Sequence, residues 1–486
     1  MKTYHIITIG CQMNYADSER LASRLEKQGY KKTDDKYGAD LVIVNTCGVR
    51  QSAENRIYGL IPKIRAMNPK VKIILTGCLT ERKDVKRRLK DYVDEWMPIN
   101  KIFNFQFSIS NQFSNNNFQI NTKSEDYYLK IKPKYESKFS AFVPIGNGCD
   151  NFCAYCVVPY ARGREVYRPA EEIFFEVKNL VKKGYKEIIL IAQNVNSYKS
   201  HIDSLPDKGG LGRVLLSQAK PPLAPPYQGE KNMDFADLLK TLNDIKGDFW
   251  LRFLTNHPKD MSKKLIKVMA NSEKVCPQIY LPVQAGDDKV LKRMNRGYTV
   301  AHYEKLVKKI RDVFNFQFSI FNFQKNSKLQ IKKSEIWHAP VAISTDLIVG
   351  FPGETKKQFN NSLKLFKQIK FDMAYISEYS PRPGTAAFKL ADNVPAGEKR
   401  RRKNELDKIL KQTALINNKK YLKKTVRVLV EKETKAGEWF GKTATGKDVK
   451  ITNRESIITN LAGKFVEVKI TEAKEFCLAG ALVSNE

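Results

Sequence analysis

The order of apolar and polar segments along this 486-residue chain predicts an α/β protein in three parts. These are an N-terminal parallel α/β sheet domain, a central partial barrel of six β/α units, and a small C-terminal OB-like β-barrel. Three observations predict it. Residues 1–100 alternate short β-rich runs with helical periodicity, the pattern of a parallel sheet covered by helices. The alternation resumes from about 139 to 380 with six more apolar runs. The last sixty or so residues hold only short β-rich runs broken by glycine, the mark of a small barrel.

In the first part the strands are "YHIITI" (4–9), "DLVIVN" (40–45) and "KIILTG" (72–77), and helical periodicity covers 16–28, 50–67 and 80–91. In the second, strands are expected at 141–146, 187–192, 250–255, 278–283, 341–349 and 373–379, with helices at 170–183, 300–313 and 356–369. Each strand is followed by a polar cluster: "GNGCDNFCAYC", "QNVNSY", "TNHP", "QAGDD", "GFPGET" and "SPRPGT". Loops after the strands carry the chemistry in barrels of this kind, so motif position and strand register agree. Residues 399–424, near "EKRRRK", read as a basic linking helix, and 425–486 as the terminal barrel, a module that in other proteins often binds single-stranded nucleic acid.

The resulting organisation is 1–101 for the first domain, 135–398 for the barrel, then linker and terminal barrel. Three low-complexity segments interrupt it, at 102–124, 203–231 and 314–338, and the heptapeptide "FNFQFSI" stands at both 103–109 and 314–320. They read as insertions at loop positions with little fixed structure.

Composition narrows the function classes. Eighty-five basic against fifty-two acidic residues give a net charge of +33, which points to a polyanionic partner, nucleic acid first; a lysine-rich genome is the plainer explanation. No run of about 18 apolar residues is present, so no membrane span is expected. The N-terminus reads as a strand and lacks the pattern of a secretory signal. Eight cysteines are too few for a disulfide scaffold, and clustered thiols need a reducing compartment, so the cytoplasm is the expected location.

The cysteines carry the sharpest signal. Cys149, Cys153 and Cys156 form a CxxxCxxC loop after the first barrel strand, with no fourth cysteine or histidine nearby. Structural zinc asks for four protein ligands. A cubane iron–sulfur cluster held by three thiolates keeps one iron open to a substrate or cofactor, which suits this loop better. Cys11, Cys47 and Cys78 each follow one of the first three strands. Parallel strands end on one edge, where open α/β sheets bind ligands, so these three are expected to be neighbours and to hold a second cluster. Cys276 and Cys477 read as inert small hydrophobes.

On "GCQMNYADSE", "VNTCGVR", "TGC", "GCDNFCAYCVVPYARGREVYRP", "LPVQAGDDKVLKRMNRGYT", "DLIVGFPGET" and "RPGT", the chain resembles the radical S-adenosylmethionine (SAM) methylthiotransferases over nearly its whole length outside the three inserts, with a TRAM-like terminal barrel. Its wording is nearest to the MiaB type, which adds a methylthio group to carbon 2 of N6-isopentenyladenosine 3′ of the tRNA anticodon. Two alternatives stay in view: the same chemistry on threonylcarbamoyladenosine or a ribosomal-protein aspartate, and an iron–sulfur RNA-binding protein without catalysis.

The resemblance implies two 4Fe–4S clusters and SAM as cofactors. Cys149, Cys153 and Cys156 would hold the cluster that cleaves SAM; Cys11, Cys47 and Cys78 would hold the auxiliary cluster that presents sulfur. It also implies that Gly350, Gly353 and Glu354 form the glycine turn beside SAM, although Asp346 stands where the wider superfamily often has glycine. Gln193, Asn194 and Gln284 are polar groups at strand ends, suited to SAM, substrate or loop capping. Arg162, Arg164 and Arg168 are placed to contact RNA phosphate, or to form a solvated basic loop. Phe152 and Tyr155 would shield the cluster, and His257 reads as a structural or substrate-side polar group. The implied partners are tRNA through its anticodon loop and a reducing donor such as flavodoxin or ferredoxin, with the chain a monomer and no membrane contact.

Overall fold

The computed structural model describes residues 1–49, 51–102, 128–201, 232–326, 341–434, 437–452 and 460–483, with 201 and 317–326 described by backbone alone. The first unit comprises β1 (Thr3–Ile9), α1 (Gln12–Lys27), β2 (Lys31–Lys32), β3 (Leu41–Thr46), α2 (Gln51–Met67), β4 (Lys72–Gly77), α3 (Lys83–Leu89) and β5 (Glu95–Met97). Its five strands are all parallel in the order β2-β1-β3-β4-β5. Every residue of β3 is buried, as a central parallel strand requires when helices cover both faces. The order reverses between β1 and β3, which creates the crevice where doubly wound sheets bind ligands.

The second unit begins with β6 (Ser140–Pro144), β7 (Gly146–Asn147), α4 (Val158–Arg162), β8 (Val166–Tyr167), α5 (Ala170–Lys182) and β9 (Glu187–Ile191). It continues with β10 (Lys199–His201), β11 (Asn232–Asp234), α6 (Phe235–Asn243), β12 (Trp250–Leu254), α7 (Lys263–Asn271), β13 (Gln278–Tyr280) and α8 (Asp288–Arg293). Then come α9 (Val300–Asn326), β14 (Ala342–Val349), α10 (Lys356–Ile369), β15 (Met373–Glu378) and α11 (Ala396–Lys419). β6, β9 and β12 pair in parallel, as do β13, β14 and β15, and a parallel bridge between Leu251 and Val275 joins the two halves. The strands therefore follow chain order around an incomplete barrel. Its main core lies between strands and helices, with Val143, Leu190, Phe253, Ile279 and Leu347 from the strands and Val177, Leu239 and Phe366 from the surrounding helices.

The helix expected at 300–313 runs on to Asn326, so the second "FNFQFSI" begins as helix and the expectation of little fixed structure fails over 314–326. Neither glycine nor proline interrupts that stretch, and Phe314 is buried in the barrel core. Of the expected inserts, Ile102 of the first is buried in the N-terminal core, whereas 103–124, all of 203–231, and 327–338 of the third lie outside the described residues.

The basic helix also differs from a free linker. α11 starts at Ala396 and packs Leu406 and Leu410 into the barrel core. Its arginines divide by face: Arg402 is buried, while Arg401 stays exposed and pairs with Glu398 and Glu405.

The third unit is a closed barrel of β16 (Thr425–Glu433), β17 (Trp439–Thr443), β18 (Asp448–Thr452), β19 (Phe465–Ala473) and β20 (Cys477–Leu482), ordered β16-β17-β18-β20-β19. It covers the N-terminal end of the larger barrel, away from the strand-end loops. Leu429, Ala444 and Phe465 pack against Trp250 and Cys276. Buried Arg252 donates to the carbonyls of Thr443 (2.8 Å) and Ala444 (2.7 Å) while its Nε–H donates to Glu187 (2.7 Å). Among the described residues no helix is long and apolar enough to cross a membrane.

Candidate functional site

The strand register aligns the first three cysteines. Ile9, Thr46 and Gly77 lie side by side in the last row of β1, β3 and β4, and Cys11, Cys47 and Cys78 come one or two residues later. The Cys47 N–H donates to the Ile9 carbonyl (2.9 Å) and the Cys78 N–H to that of Thr46 (2.8 Å), so the ladder extends onto the cysteines themselves. Gly77 makes this possible: its φ is +92°, and a Cβ there would sit 2.3 Å from the Thr46 oxygen. Asn14 organises the turn after β1. Its Oδ1 accepts the Cys11 N–H (3.1 Å) and its Nδ2 donates to Asn45 (2.9 Å). The Val49 N–H donates to the Cys47 sulfur at 3.3 Å.

The second cysteine loop is fixed from outside. The Ala154 N–H donates to the Met294 carbonyl (2.9 Å), and the Ala154 carbonyl accepts from Ala387 (2.7 Å). Arg296, nearly fully buried, donates from Nη1 to the Cys153 sulfur (3.1 Å), and Asn151 donates to Cys149 (3.5 Å). Burial, then the neighbouring Cys153, pushes the Cys156 thiol up to about 12. A thiol so placed stays protonated unless a metal takes the proton's place. Among the described residues no three His, Cys, Asp or Glu side chains converge on a single-ion site. A cubane asks for less convergence, since each thiolate takes its own iron, and sulfurs that already accept N–H groups suit one. The donor sets fit iron–sulfur clusters.

The unit that carries the first cysteine set packs against the segment that follows the second. A Cβ added to Gly48 would lie 3.2 Å from the Cys78 Cβ and 3.3 Å from a Val157 methyl, the residue after Cys156. Two buried arginines lock that contact. Arg162 donates to Asp17 of α1 (2.7 Å) and to Asn147 (3.1 Å). Arg382 of the "RPGT" loop donates to Gln51 (2.6 Å), to Glu54 (3.2 Å) and to the Val49 carbonyl (3.0 Å), and Arg82 donates to the same Glu54. Between the units lies a cavity of 590 Å³ whose walls include Cys78, Lys83, Arg87, Val157, Tyr160 and Pro383.

The arginine expectations therefore need correcting. Arg162 is internal, and so is Arg168, whose guanidinium pairs with Glu176 (2.7 Å) and donates to the Pro144 carbonyl (2.9 Å). Neither can reach a phosphate, because each charge is already neutralised in a place closed to solvent. Arg164 differs: its side chain is 74% exposed and pairs with Asp150. The shielding role splits too, since Tyr155 packs half-buried against a core cluster beside the cysteine loop while Phe152 is exposed.

At the barrel mouth, buried polar atoms without a hydrogen-bond partner gather at consecutive strand ends: Gln193 Oε1 and Asn194 Oδ1 after β9, Asn256 Oδ1 and His257 Nε2 after β12, and Gln284 Oε1 after β13. Unsatisfied buried polar atoms are costly, so such a ring fits a polar ligand such as SAM. The Asn194 Nδ2 donates to the Asp260 carboxylate (2.8 Å). Glu354 shapes the turn after β14: Oε2 accepts the Gly350 N–H (2.6 Å) and Arg402 (2.8 Å), leaving Oε1 unpartnered. Gly350 and Gly353 have φ of +70° and +75°. The Asp346 carboxylate accepts from the Tyr280 hydroxyl. Sequence reasoning passed over Asn256, Arg296, Asn14 and Glu54. The first three lie in loops or motifs already singled out, but nothing in their spacing marks them.

Family models match in order along the chain: "Uncharacterized protein family UPF0004" over residues 3–97, "Radical SAM superfamily" over 143–327 and "TRAM domain" over 419–483. The chain is 38% identical over 490 residues to the tRNA-2-methylthio-N(6)-dimethylallyladenosine synthase of Thermoanaerobacter sp. (strain X514), covering 99% of this chain and 92% of that one. It is 38% identical over 498 residues to the enzyme of the same name from Clostridium botulinum (strain Langeland / NCTC 10281 / Type F), covering 98% and 96%. Among solved structures, the radical S-adenosylmethionine methyltransferase TsrM from Kitasatospora setae aligns at a TM-score of 0.47 and 13% identity, covering 80% of this chain and 77% of that one.

Proposed function

The chain belongs to the family of tRNA-2-methylthio-N(6)-dimethylallyladenosine synthases, radical SAM methylthiotransferases, and from that membership we infer that it places a methylthio group on carbon 2 of N6-dimethylallyladenosine in the tRNA anticodon loop. In this reading Cys149, Cys153 and Cys156 hold a 4Fe–4S cluster, and Cys11, Cys47 and Cys78 hold a second. When bound, these groups supply a SAM-derived radical that removes hydrogen from carbon 2, and the sulfur that replaces it. The protein's part is to hold, orient and exclude water.

Arg296 offsets thiolate charge at Cys153. The unpartnered atoms of Gln193, Asn194, Asn256, His257 and Gln284 take the polar groups of SAM, with Gly350, Gly353 and Glu354 forming the turn beside it. His257 serves as a neutral group, since burial, then Arg296 and Lys259, pushes it down to about 2. Arg164 and the exposed surface of the TRAM barrel meet RNA phosphate. An anticodon-loop base suits this site because it can be splayed out, whereas one in an A-form stem hides its carbon 2 edge. A flavodoxin or ferredoxin would supply electrons to a cytoplasmic monomer.

The observation that carries the reading is the single row of strand-end cysteines, with Cys78 and Gly48 packed near Val157, the residue that follows the CxxxCxxC loop. Threonylcarbamoyladenosine, a ribosomal aspartate and a non-catalytic role are set aside, because relatives matching 98–99% of the chain are named for dimethylallyladenosine.

Paired cysteine replacements test the assignment. Anaerobically reconstituted protein should hold about eight irons. Changing Cys149, Cys153 and Cys156 to Ala should leave about four and abolish SAM cleavage. The Cys11, Cys47 and Cys78 variant should also lose about four irons and still make 5′-deoxyadenosine, but no methylthio nucleoside. Methylthio product from the second variant would overturn the two-cluster reading.

A further inference from the structure

The cavity between the two cysteine-bearing units has features that cluster binding does not use. On one wall stand Lys83 and Arg87, four residues apart on α3 and both exposed. Like charges at that spacing repel, and neither has a carboxylate partner among the described residues. Glu81, Arg82 and Asp84 share that wall: Asp84 pairs with Arg82, and the exposed Glu81 lies 3.9 Å from Lys86, which leaves Lys83 and Arg87 as the cations there without an ion pair among the described residues. Facing them is Tyr160, 56% exposed. Its ring is braced edge-on by Phe152 at 6.2 Å, itself 38% exposed, with the Arg164 guanidinium 5.6 Å from the Phe152 ring. Phe152 holds a φ of +45°, a strained conformation for a bulky side chain, and Asn295 donates to its carbonyl (3.0 Å). Exposed aromatics held rigid opposite two unpaired cations present a π-face and a phosphate grip at one place.

We propose that this cavity is a nucleotide subsite, in which Tyr160 stacks on an unpaired base next to the modified adenosine while Lys83 and Arg87 hold its phosphates. It rests on the tRNA reading above, and it specifies which side chains contact a loop nucleotide beside the target. Cys78 lines the same cavity, so a base stacked there has its neighbour beside the auxiliary cysteines.

The test uses the full reconstituted chain and a synthetic anticodon stem-loop in which 2-aminopurine replaces, in two separate RNAs, the base on either side of the target. One label should be quenched on binding by the unsubstituted protein. Tyr160→Ala should abolish that quenching and weaken binding about 5- to 150-fold, and Tyr160→Phe should retain both. The double variant Lys83→Gln, Arg87→Gln should keep the quenching but flatten the log–log salt slope by about 1.4, two single-strand phosphate contacts. Iron content of each variant checks that the fold is intact.

If the unsubstituted protein fails to bind the stem-loop, the tRNA reading itself falls. If it binds, but neither label is quenched, or the variants match it in affinity, slope and quenching, this subsite is overturned while the tRNA reading stands.

Discussion

Replacing Asp17 by Asn removes one charge from the contact that registers the two cysteine-bearing units. Asp17 is wholly buried, and Arg162, with a side chain 2% exposed, donates to it at 2.7 Å. The Tyr128 hydroxyl also donates to Asp17 (3.2 Å), and Asn147 gives Arg162 its other acceptor. The amide keeps the shape but leaves a guanidinium buried without a counter-charge, which costs about 3–5 kcal/mol. At about 2–4 °C per kcal/mol for a unit of this size, the melting temperature should fall by roughly 6–20 °C. Removing both charges, as Asp17→Leu with Arg162→Met, should recover most of the loss, because the desolvation cost disappears with the pair. Differential scanning fluorimetry on anaerobic reconstituted protein measures both, and product analysis adds a functional reading. The single variant should still form 5′-deoxyadenosine but make less methylthio nucleoside, since only the second product needs the two units in register. A single variant that melts within about 1 °C of the parent, or a double variant no better than the single, would refute the argument.

Two further outcomes follow from the structure. Deleting residues 425–483 should lower the melting temperature and reduce iron retention, because it strips the Thr443 and Ala444 carbonyls from Arg252 and exposes Trp250; unchanged melting of the truncated chain would refute this packing role. His257 is held neutral, with its folded pKa near 2 against an ordinary value of about 6.5, so the unfolded chain takes up its proton first as pH falls. Its contribution is thus complete above about pH 6.5 and lost on acidification, at most about 1.4 kcal/mol per pH unit. Replacing His257 by Asn should flatten the acid limb of a urea-midpoint profile, and an unaltered limb would count against the burial argument.

The sequence by itself determined the elements and the cysteines. Local apolar periodicity reports which face of a strand or helix is buried, and β4 and α10 begin and end where "KIILTG" and the 356–369 periodicity placed them. Cysteines at the ends of successive parallel strands share an edge by topology alone, so Cys11, Cys47 and Cys78 were legible as neighbours. Tertiary structure decided what depends on long-range partners. Arg162, Arg164 and Arg168 look alike in sequence, but Asp17, distant in the chain, and Glu176 on the following helix α5 draw the first and last inside and leave the middle one at the surface. The terminal units look like appendages for the same reason. Only the folded chain places Leu406 and Leu410 of α11 in the barrel core, and Thr443 and Ala444 against Arg252. Charge and local pattern carry no record of which buried carbonyl or carboxylate will meet a given side chain, because that pairing is set by the packing of whole units.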